Sequence, residues 1–255
     1  MDDLPRLIIS DERIKSAPTS YLTLSLSESH YLNKVMRLKK GNEVFIVNGK
    51  GKIWKGKLIK EKTILLPDYG ETFLSIKKKT ILLGLAISIP KKGFEDIIRM
   101  STELGIDYIK PLYSDRQIKK ISNISDRYSR WDTIINESLE QSERLWRPEI
   151  LSCTNIFEWI DSIIKNDKIS ISVTRKENCV TLNEWLQMSC EILCNENKIF
   201  WNVIGPEGGW SKNELSLFES HKIQFVALSE NILRTSTAAV NASVNLSQWR
   251  ENKSK

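Results

Sequence analysis

"KIFWNVIGPEGGWSKNELSLF" (198–218) joins an apolar run to a tight glycine-rich loop and then to a helix-like stretch. The run ending at Gly205 is short and bounded by turn residues, the pattern of a strand buried on both faces. Glycines let a backbone approach a ligand closely and expose its N–H groups. A helix beginning near Ser211 adds partial positive charge at its N-terminus. Yet the loop holds neither GxxxxGK[ST] nor GxGxxG, so the P-loop and the dinucleotide fingerprint both fail. Pro206 removes a donor and Glu207 is anionic, which argues against a phosphate cradle. Two readings stand: backbone groups that read a neutral heterocycle such as adenine, or a plain strand–helix turn with Glu207 in water.

The same alternation extends in both directions. "TILLGLAIS" (80–88) is a second continuous apolar run. "KKGFEDIIRMSTELG" (91–105) sets Phe94, Ile97, Ile98 and Leu104 on one helical face, with Gly105 as its cap. "IDYIKPLYS" (106–114) and "KISISV" (168–173) read as strands, and 125–145 and 181–194 as helices. Trp131, Ile134, Ile135, Ser138 and Leu139 form the apolar side of the first of these helices. "IQFVALS" (223–229) and a helix from Thr235 to Arg250 complete the series. Strands that alternate with helices predict an α/β parallel sheet with helices on both faces. Residues 1–79 differ. "EVFIVNGKGKIWKGKLIK" (43–60) reads as a hairpin turning at Asn48–Gly51, the texture of a small β-barrel. Ahead of it, "ESHYLNKVMRLKKGN" (28–42) has helical spacing closed by Gly41.

The chain has 255 residues, enough for one large domain or two smaller ones. Residues 1–79 hold 16 Lys/Arg against 9 Asp/Glu, whereas the rest hold 22 against 23, so the net charge of +6 arises in the first third. That asymmetry suits an acidic polymer bound at one end, or a solubilising lysine-rich surface. No apolar stretch is long enough to span a membrane. The opening "MDDLPRLIIS" lacks the basic and apolar regions of a signal peptide, so a cytoplasmic protein is expected. Cys153, Cys179, Cys190 and Cys194 form no CxxC, and His30 and His221 are the only histidines. No metal is expected, and the cysteines read as buried reduced thiols. No Ser–His–Asp set is visible, which disfavours a hydrolase.

Ligands of open parallel sheets bind outside the carboxyl ends of the strands. Besides 205–210, one other such loop stands out, within "LSENILRTSTAAVNA" (228–242). Thr235, Ser236 or Thr237 can cap its helix. Arg234 stands at the sheet's mouth, where it can bind an anion, stabilise a developing oxyanion or form a surface ion pair. Ala238, Ala239, Ala242 and Ser243 let the helix pack closely. Glu137, Glu140, Gln141 and Arg144 form a polar stripe, facing a cleft or solvent. Arg6, Lys34, Arg37, Lys39 and Lys40 are candidate phosphate contacts.

These segments together are similar to one family. "IGPEGGWSKNE" (204–214) with "LSENILRTSTAAVNA" resembles the paired knot loops of the RsmE-type 16S ribosomal RNA uridine-N3 methyltransferases, of the SPOUT trefoil-knotted class. "HYLNKVMRLKKGNEV" (30–44), "KKGFEDIIRMSTELGIDYIKPLYSDR" (91–116) and "EQSERLWRPEI" (140–150) also match, so the resemblance covers nearly the whole chain. It implies a PUA-like, RNA-binding β-barrel over 1–72 and a SPOUT methyltransferase domain over 76–250, with a C-terminal trefoil knot. The implied cofactor is S-adenosylmethionine, held by Thr174, Gly205, Pro206, Glu207, Gly208, Gly209, Leu228, Ser229, Leu233, Arg234 and Thr235. For methyl transfer to uridine N3, Arg234 is the candidate to stabilise the charge on the flanking carbonyls, Glu207 is either a base or a group that orients its loop, and Arg6, Lys34, Arg37 and Arg144 are the candidate RNA contacts. The implied partners are 16S rRNA within the small ribosomal subunit and a second copy of the chain. One position departs: the family pattern has an acid after the Arg-Thr pair and its following Thr is kept, whereas here Ser236 stands in the acid's place. A hydroxyl still suits a helix start, but any role of that acid is lost.

Overall fold

The computed structural model describes residues 4–17, 20–66, 71–117, 124–174, 179–190 and 198–253. The expected helical residues 191–194, Cys194 among them, lie outside this set. The chain divides into two compact units, Met1–Lys78 with Asn136–Arg147, and Lys79–Ile135 with Pro148–Lys255.

The first unit contains β1 (Arg6–Ile8), α1 (Asp11–Ser16), β2 (Tyr21–Thr23), α2 (Leu26–His30), β3 (Glu43–Val47), β4 (Lys52–Lys60), β5 (Thr63–Leu65) and β6 (Leu74–Ser75). They form one sheet in the order β1-β3-β4-β5-β2, with β6 also on β4. β3 and β4 pair antiparallel, Val47 opposite Ile53, as the Asn-Gly turn requires. Gly49 and Gly51 take positive φ there (66° and 85°). Alternation along β3 serves two cores. Val44 and Ile46 join Leu22, Leu32, Leu58 and Ile64 on one face. Phe45 and Val47 join Ile53 on the other, where Leu145 packs. That contact explains why 136–147 belongs to this unit.

The helix expected to close at Gly41 ends earlier. α2 passes into a π-turn over Tyr31–Val35. Arg37 then adopts φ 55°, and Leu38 N–H bonds the Leu32 carbonyl at 2.9 Å. This is a left-handed helix stop made by a non-glycine residue.

Glu140 sits half-buried in this unit, and Oε1 accepts the Ile8 N–H at 2.9 Å. Burial pushes its carboxyl from 4.5 up to about 7; the Ile8 N–H opposes the shift, and the Glu137 and Glu28 carboxylates add to it. The unfolded chain therefore loses this proton first as pH rises. Stability is fully present below about pH 4.5 and declines toward pH 7, by about 2–3 kcal/mol. Glu140→Gln keeps an acceptor for Ile8 and removes the titration. Urea unfolding of both proteins across pH 5–8 should show the variant gaining on the wild type as pH rises; a constant difference contradicts the assignment.

The second unit contains β7 (Leu82–Ser88), α3 (Phe94–Glu103), β8 (Tyr108–Tyr113), β9 (Glu149–Ile150), β10 (Thr154–Asn155), α5 (Ile156–Ile163), β11 (Lys168–Ser172), β12 (Val180–Thr181), α6 (Leu182–Cys190), β13 (Ile199–Ile204), α7 (Lys212–Ser220), β14 (Gln224–Ala227) and α8 (Thr235–Lys253). Between α3 and α5 runs α4 (Ile124–Ser142), whose Asn136 starts the stretch grouped with the first unit. The order β10-β8-β7-β13-β11-β14-β12, with β9 beside β8, is parallel at every pairing.

Central strand β13 shows why its sequence is apolar throughout. Trp201 and Val203 face a core with Ile156, Trp159 and Ile160 of α5 and Phe218 of α7. Phe200 faces the other way, its ring 4.7 Å from Trp249 of α8 and 6.1 Å from Trp185 of α6. Gly84 is required opposite Trp201: a Cβ there would lie 2.2 Å from the indole. Buried Asn202 is satisfied, donating to Ser170 Oγ (3.0 Å) and accepting from Ser172 Oγ (2.9 Å). Ala238, Ala239, Ala242 and Ser243 of α8 are all buried, so the small-residue face packs closely. At its far end Arg250 meets Asp107 in a buried ion pair. α3 ends in a Schellman motif: Gly105 takes φ 89°, and Ile106 N–H bonds Ser101 O at 3.0 Å. Cys153 and Cys179 form no disulfide among the described residues and are only half-buried, and burial pushes the Cys153 thiol up to about 11. No helix among the described residues is long and apolar enough to cross a membrane.

Candidate active site

Because the sheet is parallel, β13, β11 and β14 end along one edge, with β11 between the other two. The segments that leave these ends wall a pocket of about 790 Å³. Such a volume is in the usual range for small-molecule sites, about 300–1,000 Å³. Thr174, Gly205, Pro206, Glu207, Gly208, Gly209, Leu228, Ser229, Leu233, Arg234 and Thr235 all line it. Sequence reasoning missed several neighbours: Ser172 at the end of β11, Val173 just after it, Arg116, and Leu215 and Glu219 of α7.

The loop after β13 is shaped by its own sequence. Gly209 N–H bonds the Pro206 carbonyl at 2.9 Å, with Gly209 at φ 68°. Trp210 then folds back over Gly205, where a Cβ would lie 2.9 Å from the indole. Its Nε1–H donates to the Ser172 carbonyl at 3.0 Å, tying this loop to β11. Ser211 caps α7 in a reciprocal capping box with Glu214. Buried Glu214 also accepts the Asp115 N–H (2.9 Å), and Arg116 Nη1 donates to the Gly208 carbonyl (3.2 Å). The segment 115–116 thus braces the loop.

Glu207 is exposed, and its Oε1 accepts the Lys91 N–H at 3.1 Å. That contact ties the loop to the turn before α3. On the opposite wall, the Thr235 hydroxyl donates to the Gly205 carbonyl at 3.4 Å, joining the two loops. Ala238 N–H bonds the Arg234 carbonyl (2.8 Å), so Arg234 occupies the position just ahead of α8. Its side chain is exposed and makes no hydrogen bond or ion pair among the described residues.

The candidate RNA contacts fall in the first unit. Lys34 and Arg37 are exposed on and just after the π-turn, as are Lys39 and Lys40. Arg144 is half-buried. Arg6 departs from the expectation of a surface phosphate contact. It is 5% exposed, and its guanidinium is held by the Glu143 carboxylate (2.5 Å) and carbonyl (2.6 Å). The polar stripe of α4 is likewise engaged through Glu140 and Ile8.

A parallel α/β sheet with a pocket walled at three adjacent strand ends defines a small-molecule-binding α/β protein of the kind that hosts catalysis. The RNA methyltransferase domain matches residues 77–247, and the RNA methyltransferase PUA domain matches residues 27–66. The ribosomal RNA small subunit methyltransferase E of Synechocystis is 33% identical over 236 residues, which span 91% of this chain and 74% of that protein. A methyltransferase from Legionella pneumophila solved with SAM bound superposes with a TM-score of 0.78 at 23% identity, covering 95% of this chain and 96% of that one. The ribosomal RNA small subunit methyltransferase E of Neisseria gonorrhoeae, bound to S-adenosyl methionine, gives 0.74 at 23% identity, covering 94% and 95%. The chain belongs to the RsmE-type family of ribosomal RNA methyltransferases.

Proposed function

We propose that this protein binds S-adenosylmethionine in the pocket at the ends of β13, β11 and β14 and methylates N3 of a uridine in 16S rRNA of the small ribosomal subunit. The observation that carries the reading is the convergence of Gly205–Gly209 and Leu228–Thr235 on one pocket. The residues fit the cofactor. The absence of a Cβ at Gly205 lets the Trp210 indole fold against it, and both line the pocket. Val173, Ile204, Leu215 and Leu228 give an apolar interior suited to a purine, and loop amides and carbonyls can read its edge. The order β7-β13-β11-β14 and the Thr235–Gly205 hydrogen bond support the trefoil knot. The domains would be 1–72 for RNA binding and 76–250 for methyl transfer, working as a homodimer in the cytoplasm.

When bound, the cofactor supplies a methyl group on a sulfonium, which departs as a neutral thioether. Uridine N3 carries a proton at neutral pH, and that proton must pass to water or a base before the nitrogen lone pair is available. The resulting negative charge spreads onto the two flanking carbonyl oxygens. The Arg234 guanidinium, which lines the pocket and is unpaired among the described residues, is suited to stabilise it. Glu207 acts by holding its loop to Lys91, so Arg234 is the catalytic group of the two. Lys34 and Arg37 supply phosphate contacts. Calorimetry with S-adenosylmethionine tests the site: saturable binding of one cofactor per chain is expected, and no binding sinks the reading.

A further inference from the structure

Among the described residues, Ile232 is the only large apolar side chain of the pocket wall left exposed, at 61%. Water contact of that extent forgoes the roughly 1.5–3 kcal/mol that burying such a side chain contributes. Its segment is tethered on both sides. Asn231 N–H bonds Ser229 Oγ at 3.1 Å, and Thr235 is bound to Gly205. Two residues beyond Ile232 stands Arg234, on the same pocket and, among the described residues, without a hydrogen bond or ion pair. An exposed aliphatic side chain and an exposed guanidinium thus line one pocket from the same short segment. The interior has its own apolar lining in Val173, Ile204, Leu215 and Leu228.

We propose that Ile232 and Arg234 form the seat of the target base, Ile232 against the face of the uracil ring and Arg234 against its carbonyl edge. The proposal rests on the methyl-transfer reading above. A base taken out of its stack needs an apolar surface to replace its neighbours and polar groups for its edge. Uracil offers both, a flat apolar face and two carbonyls that gain negative charge as N3 loses its proton. The cation beside Ile232 matches that charge and favours a uracil over a cytosine, whose edge carries an amino donor instead.

The test compares the full-length protein with Ile232→Ala and Ile232→Val. S-adenosylmethionine affinity is read by calorimetry, and methyl transfer to small ribosomal subunits is read as separate kcat and KM. Ile232→Ala should bind the cofactor within twofold of wild type and lose tenfold or more in kcat/KM for subunits. Ile232→Val should recover most of that loss. Cofactor affinity falling in step with kcat/KM would overturn the proposal, because Ile232 would then cover the cofactor. Unchanged turnover overturns it as well, as does loss of turnover accompanied by a change in oligomeric state. A wild-type protein that binds no cofactor would instead refute the functional reading itself.

Discussion

Arg234→Ala is expected to reduce turnover on small ribosomal subunits by about 100- to 1,000-fold, the cost of removing one donor aimed at developing charge in a preorganised site. Cofactor affinity should change little. The backbone at 234 keeps its role, since its carbonyl takes the Ala238 N–H whatever the side chain. The Arg234 side chain makes no ion pair or hydrogen bond among the described residues, so the variant removes none. Arg234→Lys should fall between the two, because a point charge replaces a planar fork. The deficit should narrow as pH rises toward the ionisation of uridine N3, where less stabilisation is required. Single-turnover rates at several pH values check this, and activity equal to wild type removes Arg234 from the chemistry.

Arg250→Ala is expected to destabilise the protein by about 3–5 kcal/mol, the cost of leaving a buried charge without its partner. Arg250 and Asp107 are 5% and 7% exposed, with Nη1 and Oδ2 2.5 Å apart. Nη2 also donates to the Gly105 carbonyl at 2.6 Å, and Asp107 accepts the Leu83 N–H at 2.9 Å. One guanidinium therefore fastens the end of α8 to the turn after α3 and to the start of β8. Replacing both members with apolar residues of similar volume should recover much of the loss. Urea unfolding of Arg250→Ala and of Arg250→Met with Asp107→Leu separates the two effects; a loss below 1 kcal/mol in the single variant contradicts the pairing.

The pocket loops were legible in the sequence because their signals are local. Glycine, proline and a helix start at the end of an apolar run need no knowledge of the rest of the chain. The strand–helix alternation of residues 80–250 and the Asn-Gly hairpin were legible for the same reason. What stayed hidden depends on pairs distant in sequence. Trp210 bonds Ser172 only because β13 lies beside β11, a strand order that periodicity does not encode. Arg6 read as one more surface cation because Glu143, which buries it, lies 137 residues away. The helix stop at Arg37 was missed because a glycine stood four residues further on, and αL residues other than glycine carry no clear sequence signal. The helix expected over 125–145 ends at Ser142, where Glu143 takes φ 58°, and Leu145 belongs to the core of Phe45, Val47 and Ile53.

The central claim, methyl transfer to uridine N3 of small-subunit RNA, is tested most directly by mass mapping of 16S rRNA from cells with and without this protein. One N3-methyluridine should be present in the first and absent in the second, and should return when the wild-type chain, but not Arg234→Ala, is supplied. An unchanged N3-methyluridine, or the loss of a ribose methyl group instead, would contradict it.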